Sequence, residues 1–95
     1  MSVADLILHL KSSYFQQIKS GEKEFEYRLE KLYWIWRLFE RHYDRVIFWD
    51  AYKPYSPESV IIRPYRGYEL QTIVHPHFGS SPVRVFAIYA QGQKE

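Results

Sequence analysis

Lys23, Glu26 and Arg28 stand close together in GEKEFEYR, residues 21–28. A lysine near a glutamate in a partly closed cleft is a tunable acid–base pair, because each charge stabilises the other and burial shifts both. Strict strand alternation puts Lys23 on the side of Phe25 and Tyr27, and Glu24, Glu26 and Arg28 on the other. The three groups can converge only if a turn at Gly21-Glu22 releases Lys23 from that alternation. Without such a turn, Glu24, Glu26 and Arg28 form a solvated strand face, with cross-strand ion pairs worth about 0.2–1 kcal/mol each. Both arrangements remain open at this level.

Other residue groups could add to a site. His75 and His77 share H-x-H spacing in HPHFG, which on a strand turns both imidazoles to one side. Zinc needs three or four protein ligands, and the chain has no cysteine and no acid near the pair, so no metal is expected. The histidines either hydrogen-bond the backbone of a loop shaped by Pro76 and Gly79, or one of them lines a cleft and meets a base. Aromatic residues are in surplus, with nine Tyr, six Phe and three Trp. Trp34 falls at a helical angle near Arg37 and Arg41, so an indole and two guanidiniums can share an exposed face, for stacking with phosphate contact or for a dimer. Tyr52, Lys53 and Tyr55, then Arg63, Tyr65, Arg66 and Tyr68, interleave base with aromatic as a base-stacking cleft does. No Ser/His/Asp order, glycine-rich phosphate loop or paired aspartates is present.

The elements that must position these groups belong to one domain, since 95 residues close a single core. A hydrophobic share of 46% is too high for a disordered chain. No apolar run approaches the ~20 residues of a membrane helix, and MSVADLILHLKSSYF lacks a signal peptide's basic lead and cleavage site, so a cytoplasmic protein is expected. A net charge of +2 permits polyanion binding without arguing for it.

VADLILHL (3–10) reads as a buried strand, and SSYFQQIKSG (12–21) as a short helix capped by Ser12 or Ser13 and stopped by Gly21. KEFEYRL then turns to period two. EKLYWIWRLFERHY (30–43) returns to helical period, with Leu32, Ile35, Trp36, Phe39 and Tyr43 on one face. DRVIFWDAY (44–52), VIIRPY (60–65), GYELQTIV (67–74) and VRVFAIYA (83–90) are further strands. Trp36, Phe48, Phe86 and Ile88 are assigned to the core. The order β-α-β-α-β-β-β-β predicts an α+β domain whose curved, mainly antiparallel sheet closes into a small barrel with two helices at its outside or mouth.

The stretch from the first strand through the helix into GEKEFEYR resembles the ASCH domain family. Its hallmark is a helix ending in G-x-K followed by x-x-E-x-R on the next strand, matched here by Gly21, Lys23, Glu26 and Arg28. RHYDRVIFWDAY, PYRGYE and HPHFG extend the likeness to short bacterial and phage members over nearly the whole chain. The resemblance implies a PUA-like pseudobarrel that binds RNA or a nucleotide-like ligand beside the motif, with Lys23 and Arg28 on phosphate or a base edge. One branch of the family hydrolyses N4-acetylcytidine with a lysine and a threonine of G-x-K-x-x-T-x-R. Lys23 matches that lysine, but Glu26 stands where the branch carries threonine. A reported ribonuclease activity in the family finds no residue-by-residue match.

The leading expectation is a binding module for single-stranded RNA or a modified nucleoside, using Lys23, Glu26 and Arg28 with Trp34, Arg37, Arg41, Tyr52, Tyr65, Arg66, His75 and His77. It needs no cofactor and acts as a monomer or weak homodimer. The alternatives are a hydrolase with Lys23 and Glu26 as acid and base, and a protein-interaction module built on the Trp34/Arg37/Arg41 face.

Overall fold

A computed structural model describes residues 4–91 of the chain. Alternation in DLILHL turns Leu6, Leu8 and Leu10 inward as β1 (Asp5–Leu10); Val3, the expected first residue of that strand, lies outside the described residues. Helix α1 (Ser12–Lys19) follows, burying Phe15 and Ile18. Its N-cap is Lys11, without a side-chain cap; Ser12 instead donates its Oγ–H to Asp50 Oδ1 at 2.7 Å. After the helix, Gly21 adopts φ 86°, the left-handed conformation that favours glycine, and its N–H closes onto Ile18 O at 3.1 Å. Strand β2 (Phe25–Leu29), helix α2 (Leu32–Leu38) and strands β3 (Arg45–Asp50), β4 (Val60–Pro64), β5 (Tyr68–Ile73) and β6 (Val83–Tyr89) complete the order, with one 3-10 turn over Pro76–Phe78.

The strands form two three-stranded sheets, in orders β1-β3-β4 and β2-β6-β5. Both are open, and no strand ladder joins them among the described residues. Three of the four pairings are antiparallel, in keeping with the expected mainly antiparallel arrangement; the fourth, β1 with β3, runs parallel, with Leu6 beside Val46 and Leu8 beside Phe48. A parallel pair needs a crossover, and here α1, β2 and α2 together supply it. The turn at Gly67 does not make a hairpin either; it hands the chain from β4 in one sheet to β5 in the other. One core nonetheless serves both sheets. Leu6, Leu8, Val46, Phe48 and Ile61 of the first pack with Phe86 and Ile88 of the second, and Phe15, Ile18 and Leu38 of the helices close it.

Helix α2 departs most from its pattern. It is half the expected length, because the chain turns at Phe39 and at Glu40 (φ 55°) and its last carbonyls are satisfied from beyond the turn. Arg41 Nε–H donates to Trp36 O at 3.0 Å and the Tyr43 hydroxyl to Arg37 O at 2.6 Å. Its core face is Trp34, Ile35 and Leu38. Trp36, assigned to the core from the sequence, is 64% exposed, as are Leu32 at 60% and Phe39 at 57%. LYWIWRL is apolar on nearly all sides, so periodicity offered no unique inner face. Among the described residues no helix is long and apolar enough to cross a membrane.

Tyr65 rests edge-to-face on Tyr43, ring centres 5.3 Å apart, and burial, reinforced by Tyr68 and Tyr43, pushes its phenol up to about 12. The unfolded chain ionises such a group near pH ~10, so above that pH the folded state holds the proton that the unfolded state has lost. Stability is then unaffected below about pH 10 and falls as pH rises toward 12. Tyr65→Phe is expected to flatten that alkaline decline in urea midpoints; an unchanged slope would mean Tyr65 ionises as freely folded as unfolded.

Candidate functional site

The two sheets part between the edges of β1 and β2, and the parting is a cleft of about 300 Å³. Register against β6 decides what β2 presents there. Glu26 pairs with Ile88 and Arg28 with Phe86, the β6 residues that pack with the first sheet, so the two charged side chains point inward; Phe25, Tyr27 and Leu29 alternate to the other face, from which Tyr27 and Leu29 still reach the cleft around the edge of the strand. The Glu26 side chain is only 7% exposed and that of Arg28 17%.

Lys23 joins them because it lies in the turn and not in the strand. Its N–H donates to Gln17 O at 3.0 Å, and its carbonyl accepts from Gln91 Nε2 at 2.6 Å, so its backbone is held on both sides. The side chain folds back over β2 to donate to Phe25 O and meets Glu26 Oε1 at 3.3 Å. Arg28 Nη2 meets Glu26 Oε2 at 2.9 Å and also donates to His9 O, on the facing edge of β1, at 2.9 Å. The motif residues therefore converge, and the turn at Gly21-Glu22 brings this about. Arg28 Nε remains buried without a hydrogen-bond partner among the described residues.

Aromatic rings wall this charge cluster. Lys23 Nζ lies 4.6 Å from the ring centre of Tyr27 and 5.5 Å from that of Tyr14, and the Arg28 guanidinium lies 4.9 Å from the Trp34 ring. Trp34 is thus half-buried in the cleft wall and not on an outward face. His75 and His77 also line the cleft, each edge-on to Tyr14 at 6.0 and 5.9 Å. His75 Nδ1 accepts the His77 N–H at 3.1 Å, which puts the proton of a neutral His75 ring on Nε2. Among the described residues no group of three or more His, Asp and Glu side chains is disposed to hold a metal ion.

The other expected residues lie elsewhere. Tyr52 is 74% exposed on the loop after β3. Tyr65 packs on the core, and Arg66 covers the Tyr89 ring at 4.8 Å. Arg37 sits behind the cleft wall, 5.2 Å from the Trp34 ring, and Arg41 caps α2. Sequence reasoning missed Lys11, Tyr14, Tyr27 and Lys31, all of which line the cleft. Tyr14 and Tyr27 were legible only as apolar positions of a helix and a strand. Lys11 and Lys31 are the residues immediately before the two helices, and neither forms an ion pair among the described residues.

The cleft therefore holds two cations around one carboxylate inside and two free lysines at its rim. Burial, the largest influence, holds the Lys23 amine below the ordinary lysine range; Glu26 opposes that by its charge and hydrogen bond, and Arg28 adds to it. Burial also raises the Tyr27 phenol, aided by the charges of Glu24, Glu26 and Glu69. Removing the Glu26 charge removes what supports the protonated amine. In Glu26→Gln, the Lys23 amine is expected to titrate at lower pH than in the parent chain, read from the 13Cε shift of labelled lysine; an upward move would show that the Glu26 charge does not support the protonated amine.

Compared with protein-family models, curated proteins and solved structures, this chain finds no match, so only the chemistry of the cleft itself can support an assignment of function.

Proposed function

We propose that this chain is a nucleotide-binding module that takes one base with its phosphate, from RNA or from a modified nucleoside, in the cleft between β1 and β2. The observation that carries the reading is the joint lining of a small cleft by Lys11, Lys23, Arg28 and Lys31 against a single carboxylate, with rings of Tyr14, Tyr27, Trp34 and Phe78 around them. The rim lysines supply contacts for phosphate, aromatic faces supply stacking, and the Glu26 carboxylate with its two inner partners offers acceptors and donors to a base edge. The volume is at the lower end of ligand pockets, suited to one nucleoside rather than several. The ASCH resemblance belongs to the same proposal: the two open sheets would be the halves of a PUA-like barrel parted at its ligand site.

Titration of tryptophan fluorescence with cytidine 5′-monophosphate at low salt tests it. Lys23→Met is expected to weaken binding about tenfold or more, as the loss of a hydrogen bond to a charged group does, and Lys31→Ala less, since its side chain is solvated. Affinity unchanged by both substitutions would exclude the cleft as the binding site.

A second reading, hydrolysis of a modified nucleoside, is favoured by one observation: burial drives the Lys23 amine toward its neutral, proton-accepting form 3.3 Å from a carboxylate. Incubation with N4-acetylcytidine is then expected to release cytidine and acetate, and Glu26→Gln and Lys23→Met to abolish that release. Intact substrate after prolonged incubation would leave binding alone.

A further inference from the structure

Helix α2 carries a second feature that the cleft does not use. Leu32, Tyr33, Trp36 and Phe39 stand out from it at 60, 60, 64 and 57% exposure. Large apolar side chains gathered on one element mark a surface that takes a partner. The face is continuous with the cleft. Lys31, just before the helix, and Trp34, within it, line the cleft wall, and the Tyr33 ring meets Trp34 edge-on at 4.9 Å.

We propose that the outer face of α2 is a stacking surface for nucleotides that flank the one held in the cleft, so that the ligand is a single strand of nucleic acid and not a free nucleotide. This rests on the reading of the cleft as a nucleotide site. The charge around the face matches a phosphate chain. Arg37 lies 5.7 Å from the Tyr33 ring centre and donates to the Tyr33 hydroxyl at 3.2 Å, holding a guanidinium at the junction of cleft and face. Lys31, Arg37 and Arg41 form no ion pair among the described residues, whereas Glu30, the acid at the start of the helix, is 3.6 Å from Arg84. Glu40, next to Phe39 in the turn after the helix, is exposed. Exposed rings bordered by unpaired cations are the elements of single-strand binding without sequence preference.

Dimensions agree. Seven residues of helix are ~10 Å long at 1.5 Å per residue, the span of two to three nucleotides at ~3.4 Å each. A second copy of the chain fits less well. A two-fold contact would set the same cations of both copies against each other, and a two-turn helix falls well short of the ~800 Å² per partner of a stable protein interface.

The test compares cytidine 5′-monophosphate with a dinucleotide and a tetranucleotide, in RNA and DNA forms, by calorimetric titration of the full chain. Affinity is expected to rise about tenfold or more from mononucleotide to tetranucleotide, since each stacked base contributes on that scale. Trp36→Ala with Phe39→Ala, both exposed positions, is expected to remove the rise and leave mononucleotide affinity unchanged. A tetranucleotide that binds no tighter than the mononucleotide, or a rise that survives both substitutions, overturns the proposal while the cleft reading stands. Failure of the mononucleotide to bind overturns the cleft reading itself. A dimer in sedimentation, dispersed by Trp36→Ala, would assign the face to a second copy.

Discussion

The Glu26 carboxylate, held between Lys23 and Arg28, is the interaction on which the open side of this fold depends. A charge on the inner face of a strand is costly to desolvate, and it is tolerated only with partners on both oxygens. Lys23 takes one and Arg28 the other, and Arg28 then reaches across to His9 O on β1. That guanidinium is a polar link between two sheets that share no ladder at this edge among the described residues. Had position 26 been apolar, β2 could pack its inner face against β1 as closely as β6 packs against the core. With a charged trio in the way, the sheets stand apart, and the gap is lined by four cationic side chains against one carboxylate.

Three local features must agree for the trio to form. The positive φ of Gly21 rotates the chain so that Lys23 leaves the turn on the side of Glu26. The pairing of β2 with β6 puts Glu26 and Arg28, and not Phe25 and Tyr27, on the inward side; a shift by one residue would bury two aromatics and expel both charges. The His75–Phe78 turn then leans its imidazoles on Tyr14, which with Tyr27 rings the ammonium of Lys23. Each feature is set by a different part of the chain. Only the assembled core brings them to one place.

This explains what could be read from the sequence. The order of elements, the role of Gly21 and the burial of Phe48, Phe86 and Ile88 follow from periodicity and turn chemistry, which are local. The motif trio was legible as residues, but not as a convergent group, because alternation alone separates Lys23 from its partners. The division into two open sheets was not legible: strand order depends on long-range pairings such as β1 with β3, separated by two helices and a strand of another sheet. Nor was the inner face of α2, where Trp34 and Trp36 are equally apolar and only the contact of Trp34 with Arg28 and the core distinguishes them. The interleaved bases and aromatics at Tyr52, Tyr65 and Arg66 look alike in sequence, yet one is solvated, one packs on the core and one covers Tyr89.

Glu26 also bears on how a ligand would sit. With both oxygens engaged by Lys23 and Arg28, it is poorly placed to act as a nucleophile. Its effect on a ligand is instead to occupy the two inner cations. An incoming phosphate would have to displace the carboxylate from Lys23 and Arg28, whereas Lys11 and Lys31 at the rim are solvated and form no ion pair among the described residues. On the proposed reading, phosphate therefore belongs at the rim, and the interior receives the base. There the buried Arg28 Nε–H has no partner among the described residues, and the rings of Tyr14, Tyr27 and Trp34 supply the walls. That orientation sends the phosphate chain out past Lys31, at the start of α2, where the exposed rings and Arg37 begin.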